Sequence, residues 1–389
     1  MIYDFDQVID RRGSGCFKYD ALKLFYGRDD LLSLWVADMD FAVAPEITAA
    51  LQERLANPVF GYNFRLPDFY QALIQWVAKR HNWQVHREWI DNTPGIVPAL
   101  SLAVMSYTNP QDAVLIQTPV YRPFFDAVID HGRKLLTNPL IYQNGQYRID
   151  FDDFERQVSQ ARMFILCSPH NPVGRVWTED ELLHMGRICK KHNVIILSDE
   201  IHNDLLFTGS RHLPMAKLED FNSITVTCLS PSKTFNIAGL CTSVIVTPNE
   251  NLRKPLSELI FKMHLYLGNS FGIAAFIAAY TKGEAWLSAL LKYLQDNRDF
   301  VLNFIQEHIP RINAVKPEST YLMWVDFRAL GLSDSALQDL LFNHARIALD
   351  PGIKFGEDGS GFMRLNFGSP RSIIREALER IKHAIDSVT

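Results

Sequence analysis

Lys233 stands in the run Ser230-Pro231-Ser232-Lys233-Thr234-Phe235-Asn236, directly after the apolar stretch 224–229. A lysine where a buried strand gives way to a loop can bind an aldehyde as a Schiff base and later, as a free amine, move protons. Most lysines are solvated surface charges, so its companions decide the matter. Three further apolar runs each lead into polar residues that could hold a flat, charged ring. Residues 113–117 precede Thr118-Pro119-Val120-Tyr121, residues 163–167 precede Ser168-Pro169-His170-Asn171-Pro172, and residues 194–197 precede Ser198-Asp199-Glu200-Ile201-His202. An open parallel sheet brings such strand ends to one edge, where ligands of these folds bind. Tyr121, Asn171, Asp199, His202 and Lys233 are therefore predicted to converge.

The aldehyde that would use all five groups is pyridoxal phosphate. Asp199 would face the pyridine nitrogen and favour its protonated form, which makes the ring a better electron sink. Asn171 and His202 would hydrogen-bond the ring hydroxyl, and Tyr121 would offer a face for stacking. For the phosphate, Asn92-Thr93-Pro94-Gly95-Ile96-Val97-Pro98 leads into an apolar helical stretch, so Gly95, Ile96 and Val97 would present free amides and the positive end of a helix. Ser230 and Ser232 could add hydroxyls. Near the C-terminus, alternation in Phe362-Met363-Arg364-Leu365-Asn366-Phe367-Gly368 puts Arg364 and Asn366 on the face opposite Met363 and Leu365. Arg364 could then grip a substrate carboxylate in a bidentate pair.

The elements that must position these residues follow from periodicity. Between about residues 40 and 283, helical patterns alternate with short, nearly continuous apolar runs, which predicts a mainly parallel sheet covered by helices on both faces. The runs are 113–117, 163–167, 194–197, 224–229 and 243–246. A long amphipathic helix (285–308) then leads to a strand (320–327), a helix (334–344), a strand (362–367) and a last helix (371–387). This predicts a smaller α+β lobe completed by the N-terminal segment. The expected division is a large lobe of residues 46–284 and a small lobe of residues 1–45 with 285–389.

Of 389 residues, 47% are hydrophobic and 21% charged, and the formal net charge is −5. That composition is ordinary for a globular enzyme, and it supplies neither a basic field for nucleic acid nor a polybasic run for anionic lipid. The apolar residues 271–280 are bracketed by Gly268 and Lys282, well short of the roughly 20 residues that span a bilayer. Five cysteines form no Cys-x-x-Cys pair and no metal-ligand spacing with histidine. Asp4, Asp6 and Asp10 are foreign to a signal peptide, so a cytoplasmic protein without a bound metal is expected.

Four blocks carry a wider resemblance: residues 168–178 (Ser-Pro-His-Asn-Pro-Val-Gly-Arg-Val-Trp-Thr), 198–204 (Ser-Asp-Glu-Ile-His-Asn-Asp), 231–240 (Pro-Ser-Lys-Thr-Phe-Asn-Ile-Ala-Gly-Leu) and 364–371 (Arg-Leu-Asn-Phe-Gly-Ser-Pro-Arg). They resemble the signature blocks of fold-type I pyridoxal-phosphate enzymes. More narrowly they are similar to the MalY/PatB carbon-sulfur β-lyases, as are Trp35 to Phe41, Phe60-Gly61-Tyr62 and residues 318–322. The resemblance implies Lys233 as the cofactor anchor, Asp199 at the ring nitrogen, Asn171 at the ring hydroxyl and Tyr121 in stacking. It also implies Arg364 at the substrate's α-carboxylate with Ala37 in the loop facing it, and a homodimer in which Tyr62 reaches the partner's phosphate. His202 stands where many aminotransferases of this fold have a tyrosine, and Cys241 where the broader pattern has a phosphate-binding arginine. The expected activity is α,β-elimination from an S-substituted L-cysteine. The alternatives are an aminotransferase, or a cofactor-binding regulatory protein that restrains a transcription factor.

Overall fold

The computed structural model describes residues 3–387. Its centre is a seven-stranded sheet in the spatial order Ile90–Thr93, Ser243–Val246, Thr225–Leu229, Ile195–Asp199, Met163–Cys167, Ala113–Thr118 and Lys134–Pro139. The last five are mutually parallel, whereas Ser243–Val246 runs antiparallel to both of its neighbours. The three central strands are buried at every position. Side chains alternate between two faces. Met163, Ile165, Leu197, Val226 and Ile245 pack with the helices Ile96–Tyr107 and Glu250–Lys262, while Phe164, Leu166 and Ile196 pack with Phe151–Val158 and Glu179–Lys191.

Helix starts are fixed by side chains that satisfy otherwise unpaired amides. Thr178 and Glu181 form a reciprocal capping box, and Asp150, Asn249 and Asn269 each accept an amide of the first turn. Among the described residues, no helix is long and apolar enough to cross a membrane.

The edge strands Ile90–Thr93 and Lys134–Pro139 were not anticipated. They are polar and only partly buried, so they lack the apolar continuity that marks the central strands.

A second, four-stranded antiparallel sheet has the order Asn313–Val315, Leu322–Asp326, Phe362–Asn366, Asp350–Pro351. The long helix is Glu284–His308, and the last runs Arg371–Ser387 as expected. The expected helix 334–344 is α-helical over Asp334–Asp339 and continues as a wider π turn over Leu340–His344. The N-terminal segment joins through Leu32–Ser33, which pairs in parallel with Ile347–Ala348.

From there the chain crosses to the large sheet as a loop, residues 35–41, held by side chains. Asn366 Nδ2 donates to the carbonyls of Val36 and Asp38, each at 2.6 Å, and Asn236 pairs with Met39 and with the Phe41 carbonyl. Asp40 is the buried anchor. Its carboxylate accepts from Lys18 Nζ at 2.7 Å, Arg11 Nη1 at 2.7 Å and Ser369 Oγ at 2.6 Å, and Lys18 is fully buried. Burial alone would raise the Asp40 carboxyl, but Lys18 and these hydrogen bonds hold it below its ordinary value. Its contribution to stability is therefore complete at neutral pH and is lost only as the pH falls below the carboxylate range.

Asp40→Ala leaves the buried Lys18 ammonium without its close counter-ion, with only the Asp38 carboxylate 3.9 Å away. It should destabilise the protein by about 3–5 kcal/mol in urea unfolding, and clearly more than Asp38→Ala, whose carboxylate is partly exposed. Equal and small losses in the two variants would show that Asp40 does not anchor the loop.

Candidate active site

The strand ends do meet. A cavity of about 370 Å³ is lined by Tyr121, Asn171, Asp199, His202, Ser232 and Lys233, together with Gly95, Ile96, Val97 and Ala37. Ten of the thirteen residues singled out in the sequence thus share one space. Adjacent strands explain part of this, because Asp199 lies in register with Cys167 on one side and Cys228 on the other.

Lys233 sits in the single-turn helix Pro231–Thr234, capped by Ser230, whose Oγ accepts the Ser232 amide at 3.1 Å and donates to the Thr242 carbonyl at 3.0 Å. Ser230 is thereby spent on building the turn, and its side chain is not on the cavity wall. The Lys233 amine donates to the Ala37 carbonyl at 2.6 Å, and the buried Tyr321 hydroxyl donates to the same oxygen at 2.8 Å. Burial pushes the Lys233 amine down to about 8, with Arg364 acting the same way and Asp38 and Asp199 opposing. A neutral, nucleophilic form is thus within reach near neutral pH.

Asp199 is 4% exposed and takes one hydrogen bond, from the Ile201 amide at 3.1 Å. Burial pushes its carboxyl up to about 7, with Glu200 adding and the Ile201 amide and Lys233 opposing. A cationic group opposite this carboxyl would favour its ionised form. Burial also pushes His202 down to about 3, aided by Lys233 and Arg364, so its ring is neutral, and its Nδ1 is buried with no protein partner. The His202 ring itself lines the cavity, and a ligand's hydrogen-bonding group would find a neutral imidazole there.

Asn171 is placed by a turn in which the Gly174 amide donates to the His170 carbonyl at 2.8 Å. Gly174 has φ +73°, and a Cβ there would stand 2.5 Å from Pro317, so only glycine fits. Glu318 accepts the Val176 amide at 2.7 Å and ties the turn to the small sheet.

Gly95, Ile96 and Val97 open the twelve-residue helix Ile96–Tyr107, whose first amides lack intrahelical acceptors. Facing them are Cys241, in the left-handed conformation at φ 46°, and Thr242 and Ser243. These two hydroxyl residues escaped the sequence reading. The available signal was their position directly after Cys241, where an arginine was expected and a neutral cup stands instead.

Besides Ser230, two predicted residues lie elsewhere. Tyr62 is 95% exposed and does not line this chain's cavity. Arg364 is 3% exposed and sits behind the wall: Nη1 donates to Asn171 Oδ1 at 3.2 Å, and Nη2 to the Trp35 carbonyl and to Asp350 Oδ2, both at 2.8 Å. The carboxylate it holds here is the chain's own.

The arrangement fits pyridoxal phosphate. It offers a tuned amine, a buried carboxyl, a neutral imidazole, an aromatic ring and a helix start for an anion within one cavity.

The family model for aminotransferase class I and II matches residues 29–381. Cystathionine β-lyase PatB of Bacillus subtilis is 43% identical over 385 residues, covering 98% of this chain and all of that protein. Among solved structures, cystalysin of Treponema denticola, which contains pyridoxal 5′-phosphate, superposes with a TM-score of 0.97 at 36% identity over the full length of both chains. The pyridoxal-phosphate-bound C-S lyase of Staphylococcus hominis in complex with L-cycloserine gives 0.94 at 34% identity, covering 99% of this chain and 98% of that one. With the fold, the lining of the cavity and these full-length matches in agreement, the chain belongs to the aminotransferase class I and II family of pyridoxal-phosphate-dependent enzymes.

Proposed function

We propose that this chain is a carbon-sulfur β-lyase that cleaves an S-substituted L-cysteine, such as L-cystathionine, or L-cysteine itself. The elements of water are added, and the products are pyruvate, ammonia and a thiol. The observation that carries this reading is the Lys233–Asp199 cavity in a chain that matches a cystathionine β-lyase from end to end.

Bound pyridoxal phosphate supplies an electron sink that stabilises the negative charge left at Cα when its proton is removed. The protein's own residues do the rest. Asp199 would hold the proton on the ring nitrogen, and Asn171 and His202 would take the ring hydroxyl. Tyr121 covers one face. The amides of Gly95, Ile96 and Val97, with Ser232, Thr242 and Ser243, receive the phosphate. Lys233, with its amine lowered to about 8, would remove the Cα proton and is the group available to return a proton to the departing sulfur. Arg364 and Asn171 orient the α-carboxylate beside the Ala37 loop.

The same reading takes residues 46–284 as the cofactor-holding lobe and residues 1–45 with 285–389 as the lobe that carries Arg364. A cytoplasmic setting is supported by five cysteines that are all free. A homodimer with shared sites is supported by the exposed apolar surface around Tyr62, which includes Val59, Phe60, Phe64 and Leu66.

A sulfur at Cβ gives the carbanion an exit that transamination does not use. Cystathionine and S-methylcysteine should therefore yield pyruvate and ammonia in steady turnover with no keto-acid added, as read by lactate dehydrogenase coupling. Turnover that stops after one equivalent and resumes with 2-oxoglutarate would make the chain an aminotransferase instead.

Site sharing has its own test. Mixing Lys233→Ala with Tyr62→Ala protein should restore activity to about a quarter of wild type when exchange is random, since half the dimers are hybrids with one intact site. Demonstrated subunit exchange without rescue would mean that Tyr62 serves no partner site.

A further inference from the structure

Arg364 is a buried guanidinium, and the partner that neutralises it is internal. Asp350 lies directly opposite it on the antiparallel ladder, and their side chains form an ion pair at 2.8 Å. Among the described residues, only Asp350 of the acceptors around Arg364 is charged: Asn171 Oδ1 and the Trp35 carbonyl are neutral, and Nε is buried without a partner. Asp350 has a second cation available. Lys354, one turn further along and half-exposed, places Nζ 3.3 Å from the other carboxylate oxygen, Oδ1. An incoming α-carboxylate would meet Arg364 already engaged, with a like charge beside it.

Resting on the lyase reading, we propose that Asp350 sets the affinity of the site for the α-carboxylate: it pairs with Arg364 as well as Lys354 while no carboxylate is bound, competes with the substrate's α-carboxylate for Arg364, and is left to Lys354 alone when that carboxylate binds. A simple anion must displace Asp350 with nothing else to offset the cost. An α-amino acid brings its amine to the cofactor as well and so binds in spite of a cost that falls on every carboxylate alike. The device works because Asp350 keeps Lys354 in both states and gives up Arg364 in one, and a ligand that binds one state better shifts the balance.

The test uses holoenzyme and 3-(methylthio)propionate, which keeps the carboxylate and thioether of S-methylcysteine but lacks the amine, with binding measured by calorimetry. Asp350→Asn removes the competitor, and the probe should bind about tenfold tighter, within the usual range of site coupling. Lys354→Met removes the alternative partner, and the probe should bind about threefold or more weaker. The KM for S-methylcysteine should move in the same two directions. 2-(Methylthio)ethylamine, which has no carboxylate, should bind all three proteins alike. A merely structural Asp350 predicts weaker binding in Asp350→Asn, so weakened or unchanged binding there overturns the proposal, as does unchanged or tighter binding in Lys354→Met. If Asp350→Asn does not fold, the sign in Lys354→Met decides. Pyruvate formation by the wild-type protein tests the lyase reading separately, because probe binding is read whether or not turnover occurs.

Discussion

The carbonyl oxygen of Ala37 receives Lys233 Nζ at 2.6 Å and Tyr321 Oη at 2.8 Å, and the site depends on that oxygen staying where it is. It belongs to a loop with no secondary structure of its own, so its position must come from side chains elsewhere. Asn366 on the small sheet, Asn236 three residues beyond Lys233, and the buried Asp40–Lys18–Arg11 cluster supply it. The loop is therefore where the N-terminal segment, the second sheet and the lysine turn are made to agree. A backbone carbonyl is also a fitting resting partner for the amine, because it accepts a hydrogen bond without adding a full negative charge that would hold the lysine protonated.

Electrostatics in the cavity run toward neutrality. Burial pushes the Lys233 amine down to about 8, the Asp199 carboxyl up to about 7, and the His202 ring down to about 3. Each shift has desolvation as its largest cause, which is expected where three titratable groups share a space with few charged neighbours. The cavity thus holds its charge loosely, and a ligand with a protonated ring nitrogen would set it by drawing Asp199 into its ionised form. Perturbed groups gathered in a cleft are the physical signature of a reactive centre.

Much of this was legible in the sequence, and the reasons are specific. Tyr121, Asn171, Asp199, His202 and Lys233 follow apolar runs, and a parallel sheet converts that pattern into a shared edge. The strand periodicity at 362–367 correctly gave Arg364 and Asn366 one face and Met363 and Leu365 the core. Illegible features depend on tertiary register or on local hydrogen bonds. Asp350 reaches Arg364 only through their pairing on the small sheet, which no motif announces. Ser230 looks like a free hydroxyl in the sequence, but the short lysine turn consumes it as a cap. The antiparallel course of Ser243–Val246 follows from the lysine loop's return to the edge it left, and apolar continuity carries no sign of direction.

The central claim is that Lys233, at the crossing of these constraints, is the residue that takes the cofactor. Reducing the holoenzyme with borohydride, digesting it and mapping the peptides by mass spectrometry tests that claim most directly. The account predicts one pyridoxyl adduct per chain, on the peptide that contains Lys233. An adduct on any other lysine, with Lys233 recovered unmodified, would contradict it.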